Sequence, residues 1–234
     1  MKYTPFITTW LFYLFLITVP VWLMYASLIH IILAYISFWF ISDFVNSAFL
    51  HKWASHRVWN PPRWVQCVLS FAGVVFLLGT PITWSAWHRT HHKHSDTDKD
   101  PHSPDHKGWL YCTFRHRYHE ANFKLATDKM RDKYFAWLTK NELYIVILSH
   151  TVLFSVFGAM WYLTLIAVPT ALAILFTNLF VNVISHLNGK VSNIPWAWPF
   201  VFADAWHKDH HYKPNQFNGN LDISGNIIKA LKWT

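Results

Sequence analysis

Charge is scarce in this 234-residue chain, where Asp, Glu, Lys and Arg together make up 14% of the residues. An ordinary soluble domain carries about 25%. The shortage falls in blocks. Residues 3–51 and 141–189 contain no lysine or arginine, and their runs of Phe, Leu, Ile, Val and Trp exceed the ~20 apolar residues that cross a bilayer. This argues against a soluble protein with a large buried core and for a multi-pass membrane protein. Cysteine is almost missing: Cys67 and Cys112 are too few and too far apart for a disulfide framework or a thiolate metal site. There are only two glutamates, Glu120 and Glu142, and neither has a histidine three residues on. That excludes the carboxylate-bridged di-iron helix bundle, which needs paired Glu-x-x-His motifs. No Gly-x-Gly-x-x-Gly fingerprint for a dinucleotide, no internal repeat and no low-complexity tract occurs.

The basic residues that are present are confined. All 20 Lys and Arg lie at Lys2, between Lys52 and Lys140, or from Lys190 onward. Cytoplasmic loops of membrane proteins concentrate basic residues in this way. The net charge of +8 therefore reads as topology plus attraction to anionic head groups, not as a nucleic-acid surface. The N-terminal stretch MKYTPFITTWLFYLFLITVP has a signal-peptide flavour, but the hydrophobicity resumes directly after Pro20 without a small-x-small cleavage site. It is expected to be a retained first span.

Four spans fit, at about 6–20, 27–50, 143–162 and 163–184, with Pro169 tolerated as a kink. The whole chain, 1–234, reads as a single domain. The 24-residue stretch from Trp64 to Trp87 is apolar enough to suggest a fifth span, so its assignment rests on the histidines.

Nine of the 16 histidines fall into four groups: HKWASH (His51, His56), HRTHH (His88, His91, His92), NVISH (His186, with Asn182) and HKDHH (His207, His210, His211). Spacings of three and four put side chains on one helical face, because each residue advances about 100°. Asn182 and His186 are likewise one turn apart. His51 and His56 are not: five residues on an α-helix leave them about 140° apart. Either the helix opens between them or they serve two metals. Imidazole suits Zn, Cu, Fe and Ni, and one structural zinc takes four ligands. Nine imidazoles and one amide therefore imply two metal ions, most plausibly iron.

For the four groups to share one site they must face one side of the membrane, with an even number of crossings between consecutive groups. The stretch between His56 and His88 is too short for two spans, so it crosses zero times and is expected as an interfacial or re-entrant helix over about 64–87. Two spans separate His92 from His186, as required. The same parity puts both termini on the histidine side, in agreement with the basic residues. The expected fold is all-α and integral to the membrane, with four transmembrane helices and a cytosolic helical cap that holds a histidine-rich di-iron site.

The quoted segments HKWASHRVW, HRTHHKHSDTDKDPHSP, NVISH and WHKDHH resemble the histidine boxes of the membrane-bound fatty-acid desaturase family, in its delta-9-type acyl-CoA and acyl-lipid branch, which includes the stearoyl-CoA desaturases. The likeness runs from His51 nearly to the C-terminus. The extension SDTDKDPHSP is its most specific part, and favours this branch over alkane hydroxylases and sterol oxidases. The resemblance implies two irons held by His51, His56, His88, His91, His92, His186, His207, His210 and His211, with Asn182 holding a metal-bound water and no catalytic side chain beyond the metal site. It implies O2-dependent insertion of a cis double bond into a saturated acyl chain held in an aromatic-lined tunnel. Electrons would come from a separate donor of the cytochrome b5 or ferredoxin type. The location would be the endoplasmic reticulum membrane in a eukaryote or the inner membrane in a bacterium.

Two departures bear on the carrier. Ala203-Asp204-Ala205 replaces the family's usual Gly-Glu-Gly, and Ala86-Trp87 stands where animal acyl-CoA enzymes have an Arg-Asp pair that grips CoA. Trp84 does match an aromatic of that region and is the candidate substrate-binding residue. CoA, acyl carrier protein and a lipid ester all remain open as carriers. Among other residues, His94, His102 and His106 are expected beside the site or at the surface, and His30 and His150 at helix interfaces or head groups. Asp96, Asp98 and Asp100 either orient ligand imidazoles or form a solvated loop. The basic residues from Arg115 to Lys140 form a solvated face or meet an acidic donor or a lipid surface. A hydroxylase on the same site is the near alternative. A non-enzymatic metal transporter or receptor is the distant one, disfavoured because transporters place polar ligands at the bilayer midplane.

Overall fold

The apolar blocks form long helices. In a computed structural model, which describes residues 4–114, 122–217 and 221–233, α1 covers Thr4–Tyr25 and α2 covers Leu28–Trp39. The latter runs on without a break as a π-helix, π1, over Phe40–Ser55. Next come α3 (Arg63–Val75), α4 (Pro81–His94), the short α5 (Pro104–Lys107), α6 (Trp109–Phe114) and α7 (Thr127–Met130). The long α8 (Lys133–Tyr162) is followed by π2 (Leu163–Ala167), α9 (Val168–Phe176) and π3 (Thr177–Val183). The short α10 (Trp198–Val201), α11 (His207–Tyr212) and α12 (Ile223–Ala230) complete the chain. No strand occurs among the described residues. Lys2, Arg115, Arg117 and Glu120 lie outside them.

Among the described residues, three helical runs are long and apolar enough to cross a membrane: Ile7–Tyr25, Leu28–Ser55 and Lys133–Gly189. Their outward faces carry large apolar side chains, with Ile17 71%, Met24 76% and Val156 71% exposed. Water disfavours such faces, whereas acyl chains do not. The first run does not stop near Pro20 as expected. Proline removes one backbone donor but is tolerated in an apolar helix, and α1 continues to Tyr25.

The expected third and fourth spans belong to one 57-residue run. As a straight helix it would be about 86 Å long, against a hydrocarbon core of about 30 Å. It is not straight. Gly158 has φ 70° and ψ 171°, a region open essentially to glycine alone, and there the chain folds back. His150 and Tyr162 would be about 18 Å apart on a straight helix, yet His150 Nδ1 and the Tyr162 hydroxyl are hydrogen-bonded at 2.7 Å. The ring of Phe15 packs against both, so His150 is an interface residue. At the same end of the molecule, Nδ1 of His30 accepts from the backbone N–H of Ser27 and closes the turn into α2. The His30 ring lies 4.8 Å from Trp161.

The single helix expected over 64–87 is two helices. Helix α3 ends at Val75, Leu77 and Gly79 take positive φ, and α4 restarts at Pro81. The Thr80 hydroxyl caps α4 by accepting from the Thr83 N–H, and Pro81 occupies the first helical position, where its missing N–H costs nothing. This break redirects the chain so that the end of α4 delivers His88, His91 and His92.

Candidate metal centre

The structure brings all nine histidines of the four groups together at one end of the helices, as two adjacent clusters. His51, His56, His88, His92 and His210 form the first, and His91, His186, His207 and His211 the second. Within each cluster the candidate ligand atoms all lie within 4.8 Å of one another. The HxxHH motifs do not act as units. On α4, His88 and His92 face the first cluster and His91 the second. On α11, His207 and His211 face the second and His210 the first. The i,i+4 pairs share a centre, while the residue between them lies to one side and reaches the other centre.

His51 and His56 meet in the first cluster because the helix opens. A π-helix bonds i to i+5 and holds about 4.4 residues per turn, so each residue advances about 82°. Five residues then leave the side chains about 50° apart, in place of the ~140° of an α-helix. Their ring centroids are 5.4 Å apart. Helix π1 ends there, with His56 as its C-terminal cap.

The ring nitrogens fit a metal better than they fit each other. His51 Nε2 lies 2.8 Å from His210 Nε2, and His56 Nε2 2.8 Å from His88 Nε2. In the second cluster, His186 Nε2 and His211 Nε2 lie 2.9 and 3.1 Å from His207 Nε2. Two nitrogens bound at about 2.1 Å to one ion, at right angles, are about 3 Å apart. The tautomers agree. Asp204 Oδ1 lies 3.2 Å from His51 Nδ1, Asp100 Oδ2 2.9 Å from His91 Nδ1, and Asp96 Oδ1 2.9 Å from His186 Nδ1. An ionised carboxylate only accepts, so each Nδ1 carries the proton and each Nε2 turns a lone pair inward. Lone pairs crowded at these separations repel unless a cation lies between them. Carboxylate–imidazole–metal chains of this kind hold ligand rings in place.

Burial and mutual repulsion favour the neutral form of seven of these rings, as ligation requires. Burial, reinforced by the neighbouring imidazoles, pushes His88, His91, His92, His207 and His210 far below the ordinary histidine range. The same causes bring His56 to about 2 and His211 to about 3. Because the folded values lie below the unfolded 6.5, unfolding takes up protons once the pH falls beneath 6.5. The stabilisation is complete above pH 6.5 and is lost as pH falls from 6.5 toward about 3. The metal-free chain in detergent should therefore show a melting temperature that declines between pH 6.5 and 4, each ring contributing up to about 1.4 kcal/mol per pH unit. A flat profile would contradict it.

The loop after the second box now has a physical role. Asp100, fully buried, accepts from His91, from the Asp96 backbone N–H at 2.9 Å and from the His102 backbone N–H at 3.0 Å. The segment SDTDKDPH is thus wound around one carboxylate. Asp96 and Asp100 orient imidazoles, whereas Asp98 is exposed. His102 is buried and stacks on His91 at 4.1 Å, which places it beside the site and not at the surface. His106 is exposed and His94 partly so, and neither joins either cluster. Trp84 lies 4.8 Å from the His88 ring and 5.6 Å from His51, against the first cluster. Asn182 is buried on π3, and its amide donates to Asn178 Oδ1 at 3.4 Å.

Asp204 joins the site outside every histidine motif, and its one signal in the sequence is a lone acid in the apolar stretch before the third box. Burial pushes its carboxyl up, but His51 and Lys52 with the hydrogen bonds of His51 and Ser47 outweigh this and hold it below the ordinary range. Asp204→Asn should weaken metal binding at the first cluster about 10- to 100-fold, read by titration with Fe(II) against a chelator.

A family model for fatty acid desaturases matches residues 20–222. The chain belongs to the fatty acid desaturase family. Its histidine clusters could hold metal ions, as suits a member of this family. It is 29% identical over 202 residues to delta-9 acyl-lipid desaturase 1 of Arabidopsis thaliana, covering 78% of this chain and 66% of the relative. It is 27% identical over 195 residues to the sn-1 stearoyl-lipid 9-desaturase of Anabaena variabilis, covering 76% and 70%. To the protein of that description in Synechocystis it is 27% identical over 201 residues, covering 77% and 62%. The chain spans about two thirds or less of the length of the plant relatives, down to 58%.

Proposed function

We propose that this desaturase-family chain holds two irons, one in each histidine cluster, and converts a –CH2–CH2– unit of a saturated acyl chain into a cis double bond at a delta-9-type position. The observation that carries the reading is the pair of adjacent clusters whose ring nitrogens converge while carboxylates hold the far nitrogens of His51, His91 and His186. The overall reaction balances as one O2, two electrons and two protons consumed with the two abstracted hydrogens, giving two waters. When bound, the metal supplies dioxygen reduction and the removal of hydrogens from carbons that carry no acidic proton, which side-chain acids and bases cannot achieve.

The chain's own groups position and exclude. The nine imidazoles would be the ligands, with Asn182, four residues before His186 in the chain, holding a water on the metal. Trp84, against His51 and His88, would flank the acyl chain where it passes the first centre. The fully buried Ala86 offers no charge to a CoA phosphate, and the relatives are named as acyl-lipid enzymes. We therefore assign a lipid-linked acyl chain as substrate. A separate protein supplies the electrons. The fold-back at Gly158 supports a four-crossing topology, and the confinement of basic residues supports a cytosolic site and cytosolic termini.

The test is mass-spectrometric fatty-acid profiling with double-bond localisation, in a host that expresses this chain or its His91→Ala variant. A new cis monounsaturated acid on a membrane lipid, seen only with the unmutated chain, is the expected result. A hydroxy acid in its place would make the protein a hydroxylase. No product from a chain that purifies without iron would overturn the assignment.

A further inference from the structure

The unusual winding of π1 raises the question of what holds it, since i→i+5 bonding is rare and geometrically poorer than the α-helical pattern. Two of its charged residues are buried and both contact the C-terminal segment. Lys52, fully buried, donates from Nζ to Asp222 Oδ2 at 2.5 Å, across 170 positions of chain. Asp43, also fully buried, accepts through Oδ2 from the Ser224 backbone N–H at 3.1 Å. The connection is reciprocal: π1 gives an ammonium to the start of α12 and receives a backbone N–H from it. Asp222 also caps α12 by accepting from the Gly225 N–H at 2.7 Å. Gly225 leaves the room for this, because a Cβ there would come within 2.8 Å of Phe217 and Asp222.

Positions 43 and 52 are nine residues apart. On an α-helix they would point in opposite directions, about 180° apart. On a π-helix nine steps of about 82° return to within about 20° of the same face. One short segment therefore grips both residues only when the intervening helix is π-wound, the same condition that brings His51 and His56 into one cluster. We propose that the Asp222–Ser224 segment is a register lock for the first histidine box: by binding Asp43 and Lys52 together it selects the π form of Phe40–Ser55, and Lys52 and Asp222 are positioning residues for the metal of the first cluster. The inference rests on the proposed ligation by His51 and His56. Ser224 and α12 lie beyond residue 222, where the family match ends.

Lys52→Met alone leaves the Asp222 charge buried without its partner and is expected to fold poorly. The decisive variant is Lys52→Met with Asp222→Asn. It removes both charges at nearly constant volume and keeps a capping oxygen for α12. Each protein, purified in detergent as the full chain, is titrated anaerobically with Fe(II) against a chelator and its metal-free melting temperature is recorded. The expected result is a double variant that melts close to the parent and fills one centre normally, while the other binds iron about 10- to 100-fold more weakly. His210→Ala and His186→Ala, combined with it, identify the weakened centre as the first. Two irons bound with parental affinity would overturn the lock and leave the ligand assignment standing. A parent chain that binds no iron at the first cluster would overturn both.

Discussion

His210→Ala is expected to lower the iron content from two per chain to one and to reduce the desaturated product by more than about 100-fold. The His210 ring joins the first cluster from two sides: its Nε2 lies 2.8 Å from His51 Nε2 and 3.1 Å from His92 Nε2. It is completely buried, so its loss leaves a gap that solvent cannot fill with an equivalent ligand. Iron by inductively coupled plasma mass spectrometry and product by lipid profiling provide the two readouts. His106→Ala is the control. That histidine lies on α5, is exposed and stands outside both clusters, and its variant should keep both irons and the product. Loss of product in both variants would remove the distinction between clustered and peripheral histidines.

Arg89→Ala is expected to cost about 3–5 kcal/mol of stability, measured by thermal or denaturant unfolding of the metal-free chain. Arg89 stands within the second histidine box but turns away from the clusters. Its guanidinium donates to the Ala54 and Ser55 carbonyls at 2.9 and 2.8 Å and to the Leu125 carbonyl at 2.7 Å. It also donates to both Asp128 oxygens, at 2.7 and 3.2 Å. The two carbonyls at the end of π1 are among those a helix leaves unpaired, and here one fork caps both. Partial burial pushes Asp128 up, but the hydrogen bonds from Arg89 and Arg57 hold its carboxyl well below the usual range. Truncation would leave these acceptors without their donor. Arg89→Lys should recover only part of the loss, because an ammonium cannot reproduce the planar fork. A variant as stable as the parent would mean that water replaces the guanidinium at no cost.

Much of this protein is legible in the order of its residues. Long apolar blocks without lysine or arginine dictate helices long and apolar enough to cross a membrane. The scarcity of glutamate and thiolate leaves imidazole as the available ligand, and four histidine groups flanked by apolar blocks imply a shared site. The parity of crossings places His88 near His56 before any contact is known. Each of these follows from composition or from a period of 3.6 residues, both local properties.

The rest is settled by contacts between distant segments. His51 and His56 share a cluster because Phe40–Ser55 winds as a π-helix, and their spacing of five offers that opening only as one of two readings. It coincides with partners more than 30 positions away, in Arg89, Asp222 and Ser224. The division of each HxxHH motif between two clusters depends on where the rings of α4 and α11 meet, His91 with His211 and His92 with His210. Asp204 becomes an orienting group only when the third box packs against π1, and Asp100 only when its loop wraps it. The fold-back at Gly158 is decided by one residue's freedom to adopt positive φ and is recognised from the hydrogen bond between His150 and Tyr162. Local chemistry chose the candidate ligands; the long-range packing of buried polar groups, each costly to leave unpaired, chose their partners and the cluster each one joins.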